Sequence, residues 1–298
     1  MTANAMTTAS NPSAFYTPLR YPGGKGKLAP YVKRIMEAND LVDGVYVEPY
    51  AGGAAVAMEL LLQEYARKIY INDISAGVAA FWRSLLDNTD ALCAAIAGAA
   101  VTMEEWHRQR AVLQDPAGHD DLELGFSTFF LNRTNRSGIL GAGVIGGKAQ
   151  TGKWKIDARF NSPDLISRIH AIARLRNRIE FHQRDAIDFI DEVAPKLPAK
   201  SLVYLDPPYY VKGSDLYLHY YDHEDHENIA RRVAKLRSKN WIVSYDNAPP
   251  VRGMYAKFRS IVYSLSYSAQ SRYKGGEVMF FSDKLVIPEA VRPMHLAA

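Results

Sequence analysis

Short apolar runs and longer amphipathic stretches alternate along most of this chain. Seven runs rich in Val, Ile, Leu, Tyr and Phe read as strands, at 45–48, 68–72, 179–182, 202–205, 241–244, 261–265 and 278–281. Between them apolar residues recur at helical spacing over 55–66, 76–86, 165–174 and 226–236, with a further such stretch at 28–38. Strands separated by helix-length segments specify βαβ units, and so an α/β protein with a mostly parallel sheet. No helical pattern separates the last two runs, which predicts an antiparallel edge pair. The rhythm breaks between about 88 and 163. Helical patterns at 103–113 and 122–131 lead there into a Gly-rich stretch, 138–152, that has no strand periodicity. This predicts an inserted, partly helical subdomain with a mobile loop. The expected organisation is a flexible leader (1–15), a sheet domain (16–87 and 164–298) and an insert (88–163).

Composition narrows the class. Of 298 residues, 48% are hydrophobic and 23% charged, which supports a buried core and excludes wholesale disorder. No apolar run approaches the length of a bilayer span, so no membrane partner is expected. Residues 1–15 lack a basic then apolar progression, so they do not read as a secretory signal and a cytoplasmic protein is the default. Cys93 stands alone, which rules out an internal disulfide and a Cys-based zinc site. The net charge of +4 says little until it is resolved along the chain. Residues 126–185 hold 11 Lys and Arg against 4 Asp and Glu, a balance of +7 within a remainder of −3. Such a segment suits an anionic partner, or is a solvated basic face.

The sharpest chemical signal is Leu205-Asp206-Pro207-Pro208-Tyr209. It places a carboxylate at the carboxyl end of a sheet strand, where ligands bind in open α/β folds. Two prolines remove two backbone donors, leaving carbonyl acceptors beside Asp206. An exocyclic amine of adenine or cytosine has two N–H bonds to give to such a turn, and Tyr209 offers a face for a flat base. The alternative is a structural Pro-Pro turn with Asp206 as a helix cap. A second signal runs through Glu48-Pro49-Tyr50-Ala51-Gly52-Gly53, where glycines after a strand permit close approach of a cofactor. Asp73 follows Gly52 by 21 residues, the place of a ribose-binding carboxylate, although it equally suits a cap of the next helix. A third, Tyr21-Pro22-Gly23-Gly24-Lys25, fails as a phosphate-binding P-loop because Leu19 and Gly26 occupy the required Gly and Ser/Thr positions.

Taken in order, Tyr21 to Lys25, Glu48 to Gly52, Asn72-Asp73 and Asp206 to Tyr209 resemble the adenine-specific DNA methyltransferases of the Dam type. The resemblance runs from about Leu19 to Pro288. It includes Asn132-Arg133-Thr134-Asn135-Arg136-Ser137-Gly138 and Ser271-Arg272-Tyr273. It implies a Rossmann-like methyltransferase fold on a seven-stranded sheet, S-adenosylmethionine as cofactor and double-stranded DNA as partner. The cofactor contacts it implies are Tyr21, Lys25, Glu48, Tyr50, Gly52, Asp73, Asp185 and Asp206. Asp185 also suits a helix N-cap. The chain departs from the family pattern in having Tyr21 for tryptophan, and Tyr50-Ala51-Gly52-Gly53-Ala54 for Phe-x-Gly-x-Gly.

On this reading Asp206, the Pro207 carbonyl and Tyr209 are catalytic: the first two accept N–H bonds from an extruded adenine and the third stacks on it. The basic segment supplies the DNA contacts. Arg133, Arg136, Lys148, Lys153, Lys155, Arg159 and Arg272 are set for phosphates, and Asn132, Asn135 and Gln150 for base edges. The pattern Gly141-x-Gly143-x-x-Gly146 lacks the preceding strand of a dinucleotide site and reads as a flexible DNA-facing loop. His219, His223 and His226 straddle a loop and a helix start, where Asp225 is placed to cap, so no metal is expected. A monomer is expected. The rival readings are cytosine N4 methylation, RNA adenine methylation, and an inactive cofactor-binding regulator.

Overall fold

The computed structural model describes residues 16–20, 25–211, 221–236, 239–265, 276–291 and 294–296. The leader, Tyr21, His219 and the Ser271-Arg272-Tyr273 motif lie outside the described residues. The chain runs through α1 (Ala29–Ala38), β1 (Gly44–Glu48), α2 (Ala55–Leu62), β2 (Ala66–Asn72) and α3 (Ala76–Asp87). The insert follows as α4 (Thr89–Ala97), α5 (Met103–Gln114) and α6 (Asp121–Thr134), then α7 (Ser162–Ala173), β3 (Ile179–His182), α8 (Ala186–Val193) and β4 (Ser201–Leu205). The helix His223–Val233, β5 (Asn240–Asp246), the helix Pro249–Met254, β6 (Arg259–Leu265), β7 (Glu277–Phe281) and β8 (Met294–Leu296) complete it.

Among the described residues one eight-stranded sheet forms, in the order β3-β2-β1-β4-β5-β7-β6-β8. β3 through β5 are parallel, and β7 runs antiparallel to both β5 and β6. The seven expected strands are all present, and β8 is an addition. Its three residues, Met294-His295-Leu296, are too short to show a period. The expected antiparallel edge pair is present: β6 and β7 pair antiparallel toward one edge of the sheet, with β7 lying between β5 and β6.

Central strands bury both faces, as covered parallel sheets do. Tyr46, Leu202, Tyr204 and Ile242 enter a core on one face with α1, α2, α3 and α7. Their neighbours Val45, Val47, Val203, Leu205, Trp241 and Val243 enter a second core on the other face with α8 and the helix His223–Val233. The insert continues the first core, which takes in Trp106, Phe129, Phe130 and Phe160. α6 reaches α3 closely because both are notched. A Cβ on Gly125 would lie 2.7 Å from the Ala80 carbonyl, and one on Gly77 2.4 Å from Thr128 Oγ1. This close crossing carries the C-terminal end of α6, and the Gly-rich loop after it, to the main body.

The 138–152 stretch, expected as a loop without strand periodicity, is cross-linked by backbone hydrogen bonds. Ile145 N donates to Thr134 O at 2.8 Å, Arg136 N to Gly143 O at 3.0 Å and Gly152 N to Gly146 O at 3.1 Å. Asn135 and Val144 form an antiparallel bridge. No helix among the described residues is long and apolar enough to cross a membrane.

Candidate active site

The order 3-2-1-4-5 places the reversal of strand order between β1 and β4, and the crevice for ligands lies outside the carboxyl ends of those strands. Glu48-Pro49-Tyr50 leaves β1, Asp73 leaves β2, Asp185 follows β3, Asp206 leaves β4 and Asp246 ends β5. β7 is antiparallel, so its first residue, Glu277, starts at this same end and faces Asp246 in register. Topology alone therefore gathers six acidic side chains on one rim.

One buried cation organises the centre of that rim. Lys25, 4% exposed, donates from Nζ to Tyr209 Oη at 2.7 Å and to Glu277 Oε2 at 2.9 Å, and stands 3.5 Å from Asp206 Oδ1. Tyr209 Oη donates to Glu277 Oε1 at 3.0 Å, and Tyr263 Oη to Glu277 Oε2 at 2.8 Å. Ser244 Oγ donates to Asp206 Oδ1 at 2.7 Å and lies 2.8 Å from Tyr204 Oη. Residues 181 positions apart in sequence, Lys25 and Asp206, thus share one site.

The electrostatics follow from one ammonium between two carboxylates in a recess. Burial pushes Asp206 up to about 6; Lys25 and the Ser244 hydrogen bond oppose the rise, and Glu277 adds to it. Burial would also raise Glu277, but Lys25 and the hydroxyls of Tyr263 and Tyr209 outweigh it and hold that carboxyl below its ordinary range. Burial would strip the proton from Lys25, but the charges of Asp206 and Glu277 and the hydroxyls of Tyr209 and Tyr263 keep it well above the usual lysine range. Asp206 keeps a fifth of its side chain open, at 20%, whereas Lys25 keeps 3%. The face offered outward is the carboxylate.

The turn after β4 is clamped from β5. Pro207 and Pro208 bring no N–H, and the donors of Tyr210 and Val211 both go to Asp246, at 2.8 and 3.0 Å. The phenol of Tyr209 meets Lys25 at its hydroxyl, with the ammonium over the ring 4.8 Å from its centroid. Both contacts pin the ring.

The neighbouring half of the rim is built on the glycine turn. Gly52 N donates to Asp73 Oδ2 at 2.9 Å, and its carbonyl accepts Trp82 Nε1 at 2.9 Å. Gly52 has φ +47°, in the left-handed region that glycine adopts without cost. Asp73 also accepts from Ser75 N at 2.9 Å, so it ties the start of α3 and the glycine turn together, and it remains partly exposed. Asp185 is the N-cap of α8, accepting from Ile187 N at 2.8 Å. Glu48 is buried. It accepts from Tyr46 Oη at 3.0 Å and from Ala57 N in the first turn of α2 at 3.1 Å, and burial pushes it up to about 8. Tyr50 Oη lies 2.9 Å from Tyr221 Oη, the rings meeting edge to face.

The residues expected to meet DNA divide sharply. Arg136, Lys148, Lys153, Lys155 and Arg159 are exposed. Asn132 and Asn135, expected to read bases, are buried at 2% and 1%. Asn132 accepts from Arg20 N at 2.7 Å and donates to Arg20 O and Gly138 O; Asn135 accepts from Trp106 Nε1 at 2.7 Å and donates to Ile139 O and Leu140 O. Both amides are engaged within the fold, and the base-edge expectation is corrected for them. The same holds for Gln150, which donates to Ile145 O and Gly147 O and accepts from Ile156 N. Arg133 is buried too, with no partner for Nε. Its guanidinium is lowered to about 9 by burial and then by Arg20, Arg168 and Arg159.

At the helix His223–Val233 the cap is Asp222, accepting from Asp225 N, with Asp225 returning the bond to Asp222 N; the two roles are exchanged relative to expectation. His226 is buried 3.0 Å from Tyr245 Oη, and no group of three or more His, Cys, Asp or Glu among the described residues is set to hold a metal.

Glu277, Ser244, Asp246 and Tyr221 are the participants that sequence reasoning missed. A signal existed for Glu277: it is an acidic residue placed directly before an apolar strand, at 278–281. Its value depends on β7 being antiparallel, which only the sheet order reveals.

Comparison with known proteins identifies the family. A 23% identical relative over 238 residues is the type II methyltransferase M.MjaIII of Methanocaldococcus jannaschii, the match covering 74% of this chain and 78% of that one. Among solved structures, the rRNA methyltransferase aviRa of Streptomyces viridochromogenes matches at 13% identity and a TM-score of 0.40, over 88% of this chain and 86% of that one. The D12 class N6 adenine-specific DNA methyltransferase family matches residues 21–268. With that match running from the glycine-lysine motif through the strand that carries Tyr263, the chain belongs to the D12 class of N6 adenine-specific DNA methyltransferases.

Proposed function

We propose that the protein methylates the exocyclic amine of an adenine extruded from double-stranded DNA, with S-adenosylmethionine as donor. The observation that carries this reading is the Asp206 carboxylate, one-fifth exposed beside the strand crossover, backed by a buried Lys25 and followed by a donor-free Pro-Pro turn. S-adenosylmethionine supplies an electrophilic methyl on a sulfonium. The rim suits such a molecule chemically. Asp73 and Asp185 are partly exposed carboxylates with acceptor capacity for hydroxyls or ring amines, and Tyr50 and Tyr221 form an aromatic wall. Ile74, 47% exposed, adds apolar surface beside Asp73.

The amine nitrogen is a poor nucleophile because its lone pair is shared with the ring. Asp206 Oδ and the Pro207 carbonyl each accept one N–H, which favours a pyramidal nitrogen with its lone pair aimed at the methyl. Positive charge then develops on nitrogen next to a carboxylate already in place. The proton leaves afterwards, to Asp206 or water. Tyr209, pinned at its hydroxyl, presents a ring for stacking that returns about 1–3 kcal/mol of the few kcal/mol that extrusion costs.

The rest of the surface favours a polyanion. Arg133 has a buried Nε without a hydrogen-bond partner, and Arg20, Arg159 and Arg168 act on it with Asp164 as the one opposing charge, a net-positive cluster to which a backbone phosphate is the natural complement. The test is transfer of labelled methyl from S-adenosylmethionine to duplex DNA, followed by digestion to nucleosides and mass analysis. N6-methyladenine is expected, and none with Asp206→Ala. N4-methylcytosine as the product, or near-normal turnover by Asp206→Ala, would overturn the assignment. Sequencing the methylated adenines identifies the recognised sequence.

A further inference from the structure

Four tryptophans occur in the chain, and three are fully interior. Trp82 is 0% exposed and bonded to the Gly52 carbonyl, Trp106 is 1% exposed and bonded to Asn135, and Trp241 is 1% exposed and edge-on to Phe258. Trp154 is the exception, at 65%. A single exposed apolar side chain is ordinary on a protein surface, so what distinguishes Trp154 is the segment that carries it and the charges around it.

The segment that displays it is built at some expense. Gly146 sits at φ +86°, and a Cβ there would come within 2.7 Å of the Trp154 carbonyl, so only glycine lets the two strands of the loop meet behind the indole. Gln150, itself at φ +50°, ties Ile145, Gly147 and Ile156 together through one side chain. Lys155 Nζ donates to the Gln150 carbonyl at 2.5 Å, and Ile156, two residues past the tryptophan, is buried at 7% as an anchor. This is a prepared platform, which keeps the ordering cost of binding low.

Its surroundings select the partner. From Arg136 to Arg159 the chain carries five Lys and Arg against Asp157 alone, a balance equal to the net charge of the whole protein. Lys148 and Lys153 are exposed cations of the same loop, Lys153 with its ammonium 5.7 Å from the ring centroid. An aromatic plane among cations matches a nucleic acid, which offers flat bases between phosphates.

We infer that Trp154 contacts duplex DNA by stacking its indole on a base exposed where the helix is opened, held out by the 144–156 loop among lysines that meet the phosphates. The inference rests on the DNA-methylating reading above and adds a contact remote in sequence from the catalytic turn.

Because the other three indoles are interior, quenching of tryptophan emission by acrylamide in the full-length protein reports chiefly on Trp154. The probe is a duplex carrying the sequence found by mapping methylated adenines, with binding followed independently by anisotropy of a labelled strand. Saturating DNA is expected to quench the emission and shield it from acrylamide. Trp154→Ala should weaken binding about tenfold or more, as loss of a stacked base does, and Trp154→Phe should restore most of it. Both variants should melt close to the wild type, since the indole is 65% exposed and belongs to neither core. Anisotropy showing tight binding while emission and acrylamide access stay unchanged, or Trp154→Ala binding as wild type, overturns the inference and leaves the methylation reading standing. If no adenine is methylated and no duplex bound, it is the underlying reading that fails.

Discussion

Asp206 must hold a negative charge in a recess that disfavours it, and its neighbours pull in opposite directions. Lys25 lowers its proton affinity, while burial and Glu277 raise it, for a balance of about 6; Ser244 on β5 and Tyr204 on β4 close the other sides. The proposed chemistry needs the ionised form, so kcat/KM should climb with pH through about 6. Lys25→Met removes the stabilising cation, and the acid limb should move to higher pH. Glu277→Gln removes a like charge, and the limb should move to lower pH. A role for Glu277 in folding alone would lower activity at every pH without displacing the limb, so identical profiles in the two variants would reject this account. Lys25→Met also leaves two buried carboxylates without their cation, at a cost of about 3–5 kcal/mol, which thermal unfolding should register.

At the level of elements, α6 decides what Asn132, Arg133 and Asn135 can do. Asn135→Ala would strand the Trp106 indole N–H and two carbonyls, each unsatisfied group costing about 1–3 kcal/mol. The expected result is a clearly lower unfolding temperature with the methylated sequence unchanged; an altered sequence at wild-type stability would restore the base-reading role. The misreading has a physical origin. Leu124 to Thr134 are all buried, and the near-continuous apolar run with Phe126, Phe129 and Phe130 marks a helix covered on every side. A polar residue inside such a helix belongs to the interior, a signal that outweighs the attraction of an Asn-Arg-x-Asn-Arg motif. The strands were legible because two-sided burial demands continuous apolar runs, and the Asp206 turn because prolines leave few alternatives. α4 and the helix Pro249–Met254 went unseen because they are short, 9 and 6 residues, and α8 was signalled only by its cap, Asp185. Asp246 and Glu277 acquire meaning only through strand order, which no local pattern contains.

For the whole molecule, the catalytic rim and the basic loop are joined through one short strap. Asn132, at the end of α6, holds both backbone groups of Arg20, and five residues later the same strap delivers Lys25 to Asp206. Charge is divided in space: acidic side chains ring the crevice, and cations crowd the loop beyond α6. Lys155 is engaged by the Gln150 carbonyl, whereas Lys148 and Lys153 are exposed at the loop surface. Each phosphate neutralised releases counterions and adds about 0.9 to the slope of log affinity against log salt. Replacing Lys148 and Lys153 together by Gln should thus flatten that slope by about 1.8, if each meets one phosphate. Trp154→Ala should instead lower affinity by a similar factor at every salt concentration, because stacking releases no counterions. Binding measured across a salt series for both variants separates the two contributions. A double lysine variant with the wild-type slope would remove the loop from the DNA backbone, whatever the indole does.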